Sequence, residues 1–179
     1  MEYVCFIDLE TGGLDSHKNP VLQIGCVIAD DQFNSVDEWS TYVKPYPGLI
    51  IEDEAIRING ITPDKYEIAP TEAEALNQLN ILLFKYDFPI FYGFNIAFDL
   101  SFLGSMEFRN KTYVSGDGQF VDVKRMVRFV TGSYKYSLKS QCAEFGVINE
   151  KAHDGLGDCH ATLKLAKAVL IEGKQKVSI

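Results

Sequence analysis

The sequence predicts an α/β fold, a mixed β-sheet with helices packed on its faces. Three observations carry this expectation. Strand-like segments come first and in succession, at residues 2–9, 21–29 and 39–43, with the polar, turn-like stretch 30–37 between the last two. Further short strands at 89–94 and 119–123 then alternate with helical segments, the order in which helices cover a sheet. Finally, 46% apolar and 23% charged residues over 179 positions supply the core of one domain of ordinary size and argue against disorder.

Each element has a local cause. Residues 2–9 alternate well enough for a strand, and 21–29 is a mostly apolar run of strand length. Three strands in succession suggest an antiparallel opening. After the Pro- and Gly-marked 44–50, a short helix over 52–58 stops at Asn59-Gly60. The clearest helix is 71–86: Thr71 and Glu74 make a capping-box pattern after Pro70, and Ala75, Leu76, Leu79, Leu82, Leu83 and Tyr86 recur at helical spacing. Further helices are expected near 97–108, 124–130, 137–145 and 157–172. No repeat, low-complexity tract or linker interrupts them, so a single domain is expected over 1–173, with a short C-terminal tail at 174–179.

The bulk numbers exclude some functions. Lys and Arg total 17 against 25 Asp and Glu, a net charge of −8. Such a chain does not hold nucleic acid by bulk charge, although an enzyme that handles one strand end remains open to it. The four cysteines Cys5, Cys26, Cys142 and Cys159 form no C-x-x-C pair, and reduced core cysteines are expected. There is no signal-like apolar segment and no run of membrane-spanning length, so a cytoplasmic location and no membrane partner are expected.

Three acidic motifs and one histidine carry the chemistry. In Asp8-Leu9-Glu10, strand alternation puts both carboxylates on one face, where they repel unless a cation or a proton intervenes. Gly12 and Gly13 follow and permit close backbone approach. In the second motif, 94–99, Asp99 heads a helix and shares a face with Phe102, Leu103 and Met106, in line with a core stripe. Asn95 is placed to cap that helix. In the third, 153–158, Asp158 heads another inward stripe through Thr162, Leu165, Ala166 and Val169, with His153 in a glycine-bearing loop before it. Each motif alone is compatible with a solvated strand end, a helix dipole or a surface loop, and His17 and His160 read as surface residues. Together, the two strand carboxylates and the two that each open a helix can converge at one end of a sheet, where they would repel one another without divalent cations. An oxygen-only donor set suits Mg²⁺ or Mn²⁺, and paired hard cations serve displacement at phosphorus. Histidine, which titrates near neutrality, is suited to take a proton from attacking water.

Asp8-x-Glu10-Thr11-Gly12, Asn95-x-x-Phe98-Asp99 and His153-x4-Asp158 resemble the three motifs of the DEDDh 3′–5′ exonucleases, a group that includes the proofreading (epsilon) subunit of bacterial DNA polymerase III, ribonuclease T and oligoribonuclease. Residues 58–62, 120–126 and 137–147 also resemble the family's intermotif segments, so the likeness runs through most of the chain. It implies a ribonuclease H-like fold, with a five-stranded mixed sheet whose first three strands are antiparallel and helices on both faces.

The resemblance also implies roles. Asp8, Glu10, Asp99 and Asp158 would bind two Mg²⁺ ions, replaceable by Mn²⁺, and His153 would be the general base. Thr11 would lie by the terminal sugar hydroxyl and Leu14 would wedge against the terminal base. Asn95 and Phe98 would shape the pocket. The implied activity is hydrolysis of the last phosphodiester at a single-stranded or frayed 3′ end, with DNA favoured over RNA and release of nucleoside 5′-monophosphates. A replicative polymerase is a possible partner. The alternatives are an RNA-trimming exoribonuclease and, in another class, a non-cleaving 3′-end-binding or polymerase-associated module.

The sequence departs from the common pattern at Phe94, where many relatives carry His, at Asp154, and at Gly13. These positions bear on substrate preference and leave the five catalytic types in place. Tyr113, Phe120, Tyr134 and Tyr136 are candidates for base stacking, against the plainer reading of each as an ordinary core or surface aromatic.

Overall fold

Strand β1 (Tyr3–Thr11) is paired antiparallel with β2 (Val21–Asp30), and β2 with β3 (Ser35–Tyr42). On the other side of β1, β4 (Ile90–Gly93) and β5 (Phe120–Asp122) add in parallel. The sheet therefore has five strands in the order β3-β2-β1-β4-β5, the mixed sheet with an antiparallel opening that the element order and the resemblance implied. These assignments come from a computed structural model, which describes residues 2–114 and 119–177.

Seven helices lie among the described residues: α1 (Asp53–Asn59), α2 (Pro63–Tyr66), α3 (Glu72–Lys85), α4 (Ala97–Asn110), α5 (Val123–Thr131), α6 (Leu138–Glu144) and α7 (Gly155–Val177). The period-2 alternation of β1 divides them between two cores. Cys5, Ile7 and Leu9 face α3 and α4, packing with Leu76, Leu79, Phe102 and Met106. Phe6 points the other way, toward Val123 and Val127 of α5, Cys142 of α6 and Leu165, Ala166 and Val169 of α7. Burying a side chain such as Phe6 or Phe102 contributes on the order of 1.5–3 kcal/mol. β2 is buried on both faces up to Ala29, which is why it reads as a continuous apolar run rather than an alternating one. All four cysteines are free and buried.

Several boundaries differ from the sequence expectation. β3 begins at Ser35 rather than 39. Its first residues look turn-like because β3 is an edge strand, where polar side chains face water. β1 extends through Glu10 and Thr11. The capping box at Thr71 forms as expected, with both of its hydrogen bonds present. The short α2, introduced by Pro63, was not foreseen. α7 starts at Gly155, not 157, and continues to Val177, beyond the expected end at 172. Residues 178 and 179 of the expected tail lie outside the described residues.

One mismatch in strand length creates the site. β1 pairs with β4 only through Val4, Cys5 and Phe6. From Asp8 to Thr11, β1 pairs with no strand on its β4 side among the described residues, although β2 still pairs along the other. Helices from both faces of the sheet reach this open edge.

Candidate active site

Asp8 and Glu10 lie on the Phe6 face of β1, toward α7. Their cross-strand partners on β2 are Gly25 and Gln23, and both matter. A Cβ on Gly25 would stand 2.2 Å from the carbonyl carbon of Gly155, so only glycine lets the first turn of α7 rest on the sheet backbone here. A Cβ on Gly155 would in turn lie 3.2 Å from the Asp8 carbonyl oxygen. Gln23, buried beside Glu10, donates from Nε2 to Asp154 Oδ1 (3.0 Å) and accepts from Gly155 N at Oε1 (3.0 Å). Asp154 occupies the N-cap place of α7: its carboxylate accepts from Gly157 N and its carbonyl from Asp158 N. The start of α7 is thus held by shape and by hydrogen bonds, and Asp158 projects from its first turn.

Two groups of the preceding loop grip the Asp158 carboxylate. Asn149 donates its side-chain amide to Oδ1, and His153 donates its backbone N–H to Oδ2 (3.1 Å). His153 has a positive φ of 64°, which folds the loop back toward that carboxylate. Its ring is exposed, and one ligating atom each from Glu10, His153 and Asp158 lie within 4.8 Å of one another.

Asp99 arrives from the opposite face of the sheet, in the first turn of α4, and is 4% exposed. Its Oδ1 accepts the Leu9 backbone N–H at 2.9 Å. That donor lies past the last β4 rung, so Asp99 satisfies a strand edge that would otherwise be orphaned. Asn95 does not cap α4, contrary to expectation. The N-cap is Ile96 without a side-chain bond, while Asn95 holds φ 64° and donates its backbone N–H to Asp122 Oδ1 at 3.3 Å. The short bend at 94–96 leaves the α4 terminus to backbone geometry instead.

Burial and mutual repulsion raise the acids of this cluster. The Asp8 carboxyl is held far above the usual carboxylate range, first by burial and then by Asp99, Asp158 and Glu10. Glu10 is pushed up to about 8 by burial, then by Asp158, Asp154 and Asp99. Asp99 rises to about 7, mainly through burial and despite its backbone hydrogen bonds. Asp158 is raised less, because Asn149 and His153 oppose its burial. Every charge that raises these groups is another carboxylate, and hard oxygen donors crowded in this way fit a divalent cation.

A cleft of about 210 Å³ opens beside Glu10, lined by Thr11, Leu14, Phe98, Ala55, Ile58 and Asn59 among others. Leu14 is 84% exposed at its mouth. Phe98 is braced by Phe102, with ring centroids 4.9 Å apart. The Thr11 hydroxyl donates to the Gly13 carbonyl (2.6 Å), and Asn59 donates to the Thr11 carbonyl (3.2 Å), which ties α1 to the end of β1. The structure therefore brings Thr11, Leu14 and Phe98 together with Glu10, whereas Asn95 lies outside the cleft lining.

Sequence reasoning passed over Gln23, Asn149 and Asn59 as parts of the site and treated Asp154 only as a departure. The one available signal was Gln23, a polar side chain inside an otherwise apolar strand. His160 is at the helix surface as expected, paired with Glu38 at 2.8 Å.

Residues 5–166 match the ribonuclease T (RNase_T) family, described as exonuclease. Ribonuclease T of Baumannia cicadellinicola subsp. Homalodisca coagulata is 30% identical over 91% of this chain and 81% of its own length. The DNA polymerase III epsilon subunit of Aquifex aeolicus is 28% identical over 93% of this chain and 79% of its own. Among solved structures, E. coli exonuclease I in complex with a dT13 oligonucleotide superposes with a TM-score of 0.85 over 99% of this chain at 20% identity. That likeness speaks to the fold, and the chain spans 43% of the exonuclease I chain. With the fold, the acid constellation and the sequence relatives in agreement, this chain belongs to the ribonuclease T exonuclease family and is a 3′–5′ exonuclease of the DEDDh type.

Proposed function

We propose that this exonuclease, acting as one domain over 1–173, removes nucleotides singly from single-stranded or frayed 3′ ends of DNA. The observation that carries the reading is the juxtaposition of the Asp8, Glu10, Asp99 and Asp158 cluster with a cleft holding Leu14 and Phe98. Asp8, Glu10, Asp99 and Asp158 would hold two divalent cations, Mg²⁺ or Mn²⁺. Such ions supply charge neutralisation for the attacking and leaving oxygens of an in-line displacement.

The protein's own groups do the rest. Leu14 and Phe98 clamp the terminal base, which requires it unstacked and favours a single strand. Thr11 lies where the terminal sugar would be, and Asn95 marks the entry of the second acidic motif. His153 accepts the proton of the attacking water. The water oxygen bonds to phosphorus as the P–O3′ bond breaks, the leaving oxygen takes a proton from solvent to become the 3′-hydroxyl of the shortened strand, and the water oxygen departs on the nucleoside 5′-monophosphate. Asp8→Ala or Asp99→Asn abolishes nucleotide release from an end-labelled strand in the presence of Mg²⁺, and retained activity in either variant would falsify the assignment.

A second reading, an RNA-trimming exoribonuclease, is favoured by the 30% identical relative named ribonuclease T. Digestion of matched DNA and RNA oligonucleotides separates the two. The epsilon relative makes a replicative polymerase the partner to test if DNA is the substrate.

A further inference from the structure

We propose that α5 and the loop that follows it form a track for the single strand upstream of the terminal nucleotide. The inference rests on the exonuclease reading of the site and extends it to residues outside the catalytic cluster.

The charge distribution is the first ground. Residues 123–143 carry Lys124, Arg125, Arg128, Lys135 and Lys139 and no Asp or Glu, a local charge of +5 in a chain whose net charge is −8. Arg125 and Lys135 lie near Asp122 (3.5 Å) and Glu144 (3.3 Å). Among the described residues, Lys124, Arg128 and Lys139 make no ion pair.

Aromatic rings interleave with these cations. The Lys124 Nζ lies 5.8 Å from the ring centroids of both Phe94 and Tyr136, and the Arg128 guanidinium lies 4.9 Å from that of Tyr134. The rings are nevertheless open: Tyr134 is 69% exposed and Tyr136 77% in the loop, and Phe129, on α5, 92%. Alternating cations and open rings are what a flexible polyanion with unpaired bases needs, since cations meet phosphates and rings stack bases whatever their sequence.

The rings are also presented on a pinned surface. Buried Gln141 donates from Nε2 to the Lys135 carbonyl at 2.8 Å. The Thr131 hydroxyl accepts from Ser133 N at 3.0 Å, and the Ser133 hydroxyl donates to Glu144 at 2.9 Å.

The patch begins at the catalytic cluster. Asp122 caps α5 through Arg125 N, accepts from Asn95 N, and adds to the charge that raises Asp99. Phe94, beneath Lys124, is next to Asn95 in the chain. A strand whose last nucleotide lies in the Leu14 and Phe98 cleft can therefore pass the acids and continue over Tyr136 and Tyr134. Unpaired bases are required throughout, so the occupant is a single strand of DNA or RNA rather than a duplex.

The test compares the wild type with the pairs Lys124→Ala/Arg128→Ala and Tyr134→Ala/Tyr136→Ala. Fluorescence anisotropy in EDTA, where no cleavage occurs, reads binding of labelled thymidine and uridine strands of about ten nucleotides. Steady-state digestion reads KM for the same strands and for dinucleotides. The expected result is binding of the longer strands weakened at least about fivefold in both pairs, with KM rising to match. In the lysine and arginine pair, the log–log salt slope should also flatten by about 0.7 for each phosphate left without its cation. On dinucleotides, KM should change by less than about twofold, because they do not reach the track.

Longer strands bound as tightly as by the wild type overturn the proposal. So do equal losses on short and long strands, and duplex bound in preference to single strand. If the wild type releases no nucleotide from any strand, the exonuclease reading fails, and the anisotropy arm still decides the track by the same criteria.

Discussion

At the residue scale, the site couples chemistry to backbone satisfaction. Asp99 belongs to the acid cluster and also ends the open edge of β1 by accepting Leu9 N–H. Its two substitutions should therefore separate. Asp99→Asn keeps an acceptor for Leu9, whereas Asp99→Ala leaves a buried N–H without one, at a cost of about 1–3 kcal/mol. Urea unfolding should find the alanine variant less stable than the asparagine variant by that margin, while neither releases nucleotide. Equal stability would mean that water or another group reaches Leu9. His153 has no such structural duty for its ring, since its backbone N–H is what holds Asp158. His153→Ala should therefore leave the unfolding midpoint near that of the wild type while lowering the turnover number by about 10²–10⁴-fold, the usual size of a general-base contribution. A turnover loss matched by a loss of stability would point to a structural role instead.

At the scale of elements, the contact of α7 with the sheet sets the geometry. Its first turn lies on Gly25 of β2, where any side chain would collide with backbone rather than with a flexible side-chain end. Gly25→Ala should thus destabilise the fold by about 1–3 kcal/mol or more, since a packed backbone contact has to open. It should also depress nucleotide release beyond what the unfolded fraction explains, because Asp158 rides on that turn. Thermal unfolding and turnover measured on the same sample check both parts. The opposite helix, α4, depends less on close approach. It docks through Phe102, Leu103 and Met106, and its inward stripe delivers Asp99.

For the whole molecule, acidity and metal binding are linked. In the metal-free fold Glu10 is raised from 4.5 to about 8 and Asp99 from 3.8 to about 7. Folded-state values above the unfolded ones mean that the native state holds protons which the unfolded chain has already released. Their stabilising contribution is complete below about pH 4 and is lost as pH rises through about 7 to 8. The metal-free protein should accordingly lose thermal stability between pH 5 and pH 8. Mg²⁺ or Mn²⁺ competes with those protons, so the gain in Tm on adding metal should widen over the same range. A gain independent of pH would place the ions on other ligands. No described helix is long and apolar enough to cross a membrane.

Much of the site was legible because its signals are local. Strand alternation placed Asp8 and Glu10 together, and helical periodicity placed Asp99 and Asp158 at the heads of inward stripes. The capping box at Thr71 and the stop at Gly60 depend on groups within a turn of each other. What tertiary structure alone decided depends on partners distant in the chain. Gln23 has a role only because register sets it beside Glu10 and in reach of Asp154, 131 residues away. Gly155 was expected in the loop before α7, yet it opens the helix, where Gly25 leaves room beneath it. Asn95 and His153 both hold positive φ, and each donates its backbone N–H to a carboxylate, Asp122 and Asp158. The sequence by itself determined which side chains are acidic, which face each takes and the family they resemble. Only the folded sheet, in which β4 stops short of the end of β1, decided that acids from both faces meet at one open edge.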